Sequence, residues 1–300
     1  MDKNKKIAIL LITFSVVVAF TLVIDRFIIK KDDGLDENKK MIVAVSIEPQ
    51  RNFVENIVGD LFEVVTIIPP GYSPENYEPS PKEIQKINDA KIYFSIGVPT
   101  EKQNILPNIN NNTQIVHLEE VVKNKYKDLQ MPSGGRDPHI WLSPKRVIVM
   151  VEEITKQLCD ISPENEELFI KNSKEYIQKL EKLDINLKST FDRLENKKII
   201  VYHPAFGYLA DEYGIQMYSL EHDGKEATVE HLTQMIDLAK KENIKIIFYQ
   251  QEIDSSQSQA FAEEIKGKSI MLSPLAYNYI ENFEQMCKII KEVINNEGIN

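Results

Sequence analysis

Two histidines stand out by their settings. His139 lies in "GGRDPHIWLSPKR", a Gly- and Pro-rich connection that leads into the chain's single tryptophan and then a helical stretch. His203 closes the apolar run "KKIIVYH" and is followed at once by Pro204. A neighbouring proline restricts the backbone, which suits an imidazole that must point one way. Imidazole can ligate a metal, move a proton or simply pack, and neither setting alone chooses among these. A third polar segment, "GYSPENYEPSP" (71–81), follows the run "EVVTII" and is too rich in Gly and Pro to be helix or strand. It offers Glu75, Asn76 and Glu78. A fourth, "MLSPLAYNY", sets Ser273 before Pro274.

The other candidates carry less. His117 ends a strand-like run without polar company and reads as packed, His222 in "EHDGKE" as solvated, and His231 near a helix start as exposed. The sequence has no HExxH, G-x-S-x-G, P-loop or dinucleotide-binding G-x-G-x-x-G. A Ser–His–Asp site is unsupported, since no serine stands in an elbow-like turn. Cys159 and Cys287 lie far apart in helical-looking segments and read as thiols buried in separate cores, with no metal-binding spacing.

What must position these residues is an α/β framework. Short β-branched runs occur at 41–47, 63–68, 91–97 and 113–118, and again at 197–203, 215–220, 244–250 and 268–273. Apolar throughout and separated by helical periods, they predict two lobes, each a four-stranded parallel sheet flanked by helices. In such sheets ligands bind beyond the carboxyl ends of the strands, where three of the four polar segments fall, all but that of His139. Residues 162–196 lack any interruption after Pro163 and keep an apolar stripe through Phe169, Tyr176, Leu180, Leu183, Leu187, Phe191 and Leu194. They predict one rigid helix of ~45 Å joining a lobe at 41–161 to a lobe at 197–300, with Ser162 as its cap.

Composition narrows the partners. A net charge of −10, with acids and bases mixed, offers no basic stripe for nucleic acid. Ile7 to Ile24 carries no charge and follows three lysines, so it is ~27 Å of helix, close to the ~30 Å of a hydrocarbon core. Residues 1–30 therefore read as a membrane anchor or signal, uncleaved in preference to cleaved, and 31–40 as a flexible tether, with the globular part exported.

In series, "PPGYSPENYEPSP", "DPHIWLSP", "VYHPAFGYLADEYGI", "EHDGKEATVEHLTQMIDLAKKENIKIIFYQQEIDS" and "MLSPLAYNYIENF" resemble the zinc/manganese solute-binding proteins of bacterial ABC transporters (cluster A-I). The resemblance runs over about residues 41–297. It implies two α/β lobes joined by one long helix, a divalent ion held between them, delivery to an ABC permease, and no enzymatic activity. His139 matches the histidine of the family's "DPH" motif. His203 matches a position that is His in zinc-type and Glu in manganese-type members. Glu75 stands where the family usually has His, and Ser273, a candidate fourth metal position, where it usually has Asp. Two imidazoles and one carboxylate suit Zn²⁺, and the loss of a second carboxylate disfavours Mn²⁺, which prefers more oxygen ligands. Zinc is thus the first expectation, and manganese or iron the second. The His- and acid-rich loop common before "DPH" in zinc-devoted relatives is absent here. Three ligands plus water would also describe a zinc hydrolase needing Glu75 or Glu78 as base, and some relatives are described as adhesins; both rank below transport. A monomer at the outer face of the cell membrane is expected.

Overall fold

The eight apolar runs form eight strands in two wholly parallel sheets. The computed structural model describes residues 40–131, 134–195, 197–221, 227–253 and 256–295. In the first half, β1 (Met41–Val45), β2 (Phe62–Thr66), β3 (Ile92–Ser95) and β4 (Gln114–His117) lie in the order β2-β1-β3-β4. In the second, β5 (Lys198–Val201), β6 (Gln216–Ser219), β7 (Ile246–Gln250) and β8 (Lys268–Leu272) repeat it as β6-β5-β7-β8. The strand order reverses beside β1 and beside β5, so a crevice is expected at the carboxyl ends of both.

Helices cover the sheets: α1 (Glu48–Val58), α2 (Pro81–Asn88), α3 (Leu118–Lys125) and α4 (Pro144–Ile161), then α6 (Gly207–Tyr213), α7 (Val229–Lys241), α8 (Ser256–Glu264) and α9 (Tyr279–Ile294). Between the two sets runs α5 (Glu166–Phe191), 26 residues or ~39 Å long. It is shorter than expected and starts later. Pro163–Asn165 forms a separate 3-10 turn, and Asn165, not Ser162, precedes the helix. The Ser162 hydroxyl is engaged by Glu164 and by Asn165 Nδ2, so it caps no helical amide.

The apolar stripe of α5 is buried as its spacing predicts, at Phe169, Tyr176, Leu180, Leu183, Leu187 and Phe191. Its partners come from both halves. One continuous cluster runs from Val43 and Phe94 through Leu180 to Val201, Phe248 and Leu272. Alternation along the strands sends the remaining residues outward, Ala44 and Tyr93 under α2 and Ile200, Tyr202 and Ile247 under α7 and α8. The two cysteines correct an expectation. Both are free, Cys287 is buried in the shared cluster and the half-buried Cys159 packs against it, so separate cores do not exist for them.

Among the described residues no helix is long and apolar enough to cross a membrane. The run Ile7–Ile24, on which the anchor expectation rests, lies outside them, as do residues 31–39 of the tether.

A shared core predicts shared unfolding. Leu180→Ala removes a fully buried side chain between the halves and should cost about 2–5 kcal/mol. Far-UV dichroism and Trp141 fluorescence should report one coincident urea transition for parent and variant. Two separated transitions would contradict a common core.

Candidate metal centre

The loop after β2 is shaped before it does any chemistry. Gly71 has φ +86°, a conformation that side chains rarely adopt. Beyond it, Thr100 donates its amide to the Pro74 carbonyl at 3.2 Å and its hydroxyl to the Tyr77 carbonyl, while Asn104 Nδ2 donates to the same carbonyl at 2.8 Å. These bonds tie the loop to the chain following β3. Ser80 then caps α2, in reciprocal exchange with Glu83. Held so, the loop leaves Asn76 and Glu78 exposed and turns the half-buried Glu75 inward.

His139 and His203 arrive from opposite halves, and both are buried. His139 follows Asp137 and Pro138 and begins a 3-10 turn, Ile140–Leu142. Trp141 anchors that turn: its Nε1 donates to the Pro274 carbonyl at 3.0 Å and its own carbonyl accepts from the Tyr279 hydroxyl at 2.7 Å. His203 lies two residues beyond β5, with the Tyr202 amide still in the ladder on Phe248 at 2.7 Å. It continues the inward-facing series of Ile199 and Val201.

Each imidazole has its Nδ1 on a carboxylate. Asp137 Oδ1 accepts from His139 Nδ1 at 2.8 Å and from the His139 amide at 2.9 Å. Glu221 Oε2 takes His203 Nδ1 at 2.7 Å. Glu221 reaches it because the β6 ladder continues past Ser219, its amide donating to the Tyr202 carbonyl at 2.9 Å. With both Nδ1 atoms taken, the two Nε2 atoms face each other at 3.3 Å, and Glu75 Oε1 lies 3.1 Å from His203 Nε2. Ligands ~2.0–2.1 Å from a tetrahedral zinc are ~3.3 Å apart, so this spacing fits one ion. Among the described residues these three side chains are the one such group of His, Cys, Asp or Glu donors, all within 4.8 Å of one another.

Electrostatics shows how the three tolerate each other. Burial alone would lower the pKa of His203, but its hydrogen bonds to Glu221 and Glu75 outweigh that and carry it up to about 9. Burial likewise acts to raise Glu75, and the His203 bond and the charges of both histidines overcome it, leaving that carboxyl below its usual range. His203 and Glu75 thus form an imidazolium–carboxylate pair, with His139 Nε2 beside it.

The structure brings Glu75, His139 and His203 together. Ser273 keeps its place after β8, but what it contributes is backbone: its carbonyl accepts from Asn282 Nδ2 at 2.7 Å, and no hydrogen bond joins its hydroxyl to the other three. Asp137 and Glu221 were not singled out from the sequence. The rule that selects polar residues just past a parallel strand selects Glu221 as readily as His203. Two other histidines depart from expectation. His117 has company, with Nδ1 2.9 Å from Ser95 Oγ and 3.1 Å from Glu119. His231 is half-buried, its Nε2 2.9 Å from the Ser219 carbonyl. His222 lies outside the described residues.

Residues 43–293 match the model of the family "ZnuA: Zinc-uptake complex component A periplasmic". The "High-affinity zinc uptake system protein ZnuA" of Bacillus subtilis is 31% identical over 260 residues, 82% of either chain. The "Zinc-binding lipoprotein AdcA" of Streptococcus pneumoniae is 27% identical over 90% of this chain, which spans only 58% of that protein. The "Manganese ABC transporter substrate-binding lipoprotein PsaA" of Streptococcus mitis is 28% identical over 78% of this chain and 79% of its own. A solved structure, "Crystal structure of ZnuA", superimposes with TM-score 0.80 at 30% identity, over 85% of this chain and all of that one.

A raised His203 pKa has a sign. The stability it gives the metal-free protein is fully present below the free-histidine value of ~6.5 and is lost as pH rises through about 9. In the metal-free protein the His203 ring resonance should titrate near 9, and in Glu221→Gln markedly lower. A midpoint near ~6.5 in the parent would contradict the carboxylate clamp.

Proposed function

The chain belongs to the family of periplasmic zinc-uptake complex component A, and on that premise we propose that it captures one divalent transition-metal ion and hands it to an ABC permease. Zinc is the proposed cargo. The observation that carries this reading is the donor set: two imidazole Nε2 atoms and one carboxylate oxygen at zinc-compatible spacing, drawn from both halves. Each histidine is also backed by a carboxylate, which orients the ring and raises its basicity as a ligand.

The ion enters as Zn²⁺ and meets a protonated centre. His203 Nε2 must lose its proton before its lone pair can coordinate. Glu75 then turns its oxygen from imidazolium to metal, so one cation replaces another and the half-buried carboxylate is never left unpaired. The imidazoles remain neutral ligands held by Asp137 and Glu221. Ser273 or a water is the proposed fourth ligand. Neither Glu75 nor the two backing carboxylates is then free to act as a base, and Glu78 is exposed, which supports capture without turnover. The manganese or iron reading rests on the oxygen donor of Glu75 and on kinship with a manganese lipoprotein. We further propose that the protein works as a monomer on the extracytoplasmic side of the membrane, tethered through Ile7–Ile24.

Competitive titration of metal-depleted protein should place Zn²⁺ ahead of Mn²⁺. His139→Ala or His203→Ala should each cost more than the ~10–100-fold typical of losing an outer partner. Glu75→Ala should weaken binding as well. Unchanged zinc affinity in both histidine variants would rule out the site, and Mn²⁺ ahead of Zn²⁺ would replace the cargo.

Calorimetry between pH 6.5 and 9 gives a separate check. One proton should be released per zinc bound, and the apparent affinity should rise about tenfold per pH unit. Affinity independent of pH there would contradict displacement of the His203 proton.

A further inference from the structure

We propose that Gly207 and Tyr208 are positioning residues that fix the coordinating direction of His139 from across the junction between the halves. The inference rests on the metal-centre reading above and concerns what makes the two imidazoles meet. His139 takes its place from Asp137, whose Oδ1 holds both its amide and its Nδ1. Where Asp137 sits therefore decides where Nε2 points.

Asp137 is in turn seated by the other half of the molecule. Its carbonyl accepts from the Tyr208 hydroxyl at 3.0 Å, and that hydroxyl also accepts from the Leu129 amide at 3.3 Å. The Leu129 carbonyl completes the loop by accepting from the Asp137 amide at 2.9 Å. The other carboxylate oxygen, Oδ2, lies against Gly207: a Cβ built there would stand 2.5 Å from it, far inside contact distance. Gly207 is not among the glycines with positive φ, so its backbone does not require glycine. The closeness of the carboxylate does. Tyr208 is itself clamped, with the Arg146 guanidinium 4.4 Å above its ring and Arg146 Nη1 2.6 Å from Glu212 Oε1 further along α6.

His203 precedes Gly207 by four residues. One short stretch, His203 to Tyr208, thus supplies the second imidazole, the recess for the Asp137 carboxylate and the hydroxyl that grips its backbone. The 3.3 Å separation of the Nε2 atoms is set by that stretch, and not by the long helix alone.

The test measures zinc affinity of the purified full chain, by competition with a chromophoric chelator, for Gly207→Ala, Tyr208→Phe, Asp137→Ala and the double variant Gly207→Ala/Asp137→Ala. Gly207→Ala should weaken binding about 10–100-fold. Tyr208→Phe keeps the ring under Arg146, loses only the hydroxyl, and should weaken it less. In the Asp137→Ala background Gly207→Ala should cost nothing further, because the carboxylate it would strike is gone. Cobalt-substituted Gly207→Ala should show a shifted visible spectrum, which a loss of fold stability alone would not produce. Alanine is the better helix former, so α6 itself is not weakened by the change. Parent-like zinc affinity in Gly207→Ala, or an equal loss with and without Asp137, would overturn the proposal. If His139→Ala also binds zinc normally, the metal centre itself is wrong; if His139→Ala loses binding and Gly207→Ala does not, only the positioning role fails.

Discussion

Two buried imidazole nitrogens 3.3 Å apart are an unstable pair unless something else holds them. Left free, the rings would turn away or one would shed its proton and seek other partners. Three carboxylates prevent this. Asp137 and Glu221 pull on the Nδ1 atoms from behind, and Glu75 closes on His203 Nε2 from the front. The charge of the imidazolium is balanced locally, and burial, which acts against it, is outweighed. The rest of the molecule can be understood as what this arrangement demands: two sheets whose carboxyl ends face one cleft, and a rigid connection between them.

The connection is stiffer than two lobes on a strut would suggest. The apolar cluster is continuous across α5, so the halves share a core. The buried Arg146–Glu212 pair adds a polar contact at the junction. Such pairs contribute little net stability, since desolvation offsets attraction, but they penalise any packing that separates them. Specificity of geometry is what side chains meeting from two halves need.

Much of this was legible in the sequence. The eight strands and the buried stripe of α5 follow from period alone, because a parallel sheet covered on both faces leaves few other uses for such runs. His139 and His203 were marked by their prolines, and His203 also by its position past a strand. What failed was whatever depends on contact between distant segments. Glu221 becomes a partner of His203 only because β6 lies beside β5, and Gly207 matters only because Asp137 lies against it. His117 looked alone for the same reason, its partners Ser95 and Glu119 being brought in by strand pairing and a helix start. The helix cap failed more locally: Pro163 begins a 3-10 turn, which takes up the residues that should have opened the helix.

Glu75 shows the boundary most clearly. Motif order put it where a ligand is usual, yet nothing in its own loop distinguished it from Glu78. The loop's anchoring on Thr100 and Asn104 does, by turning one carboxylate in and leaving the other in solvent. The most direct test of the whole account is zinc K-edge absorption spectroscopy on the full chain loaded with one equivalent of Zn²⁺. Two imidazoles and one carboxylate oxygen at ~2.0–2.2 Å are predicted. A first shell without imidazole scattering, or one containing sulfur from Cys159 or Cys287, would contradict it.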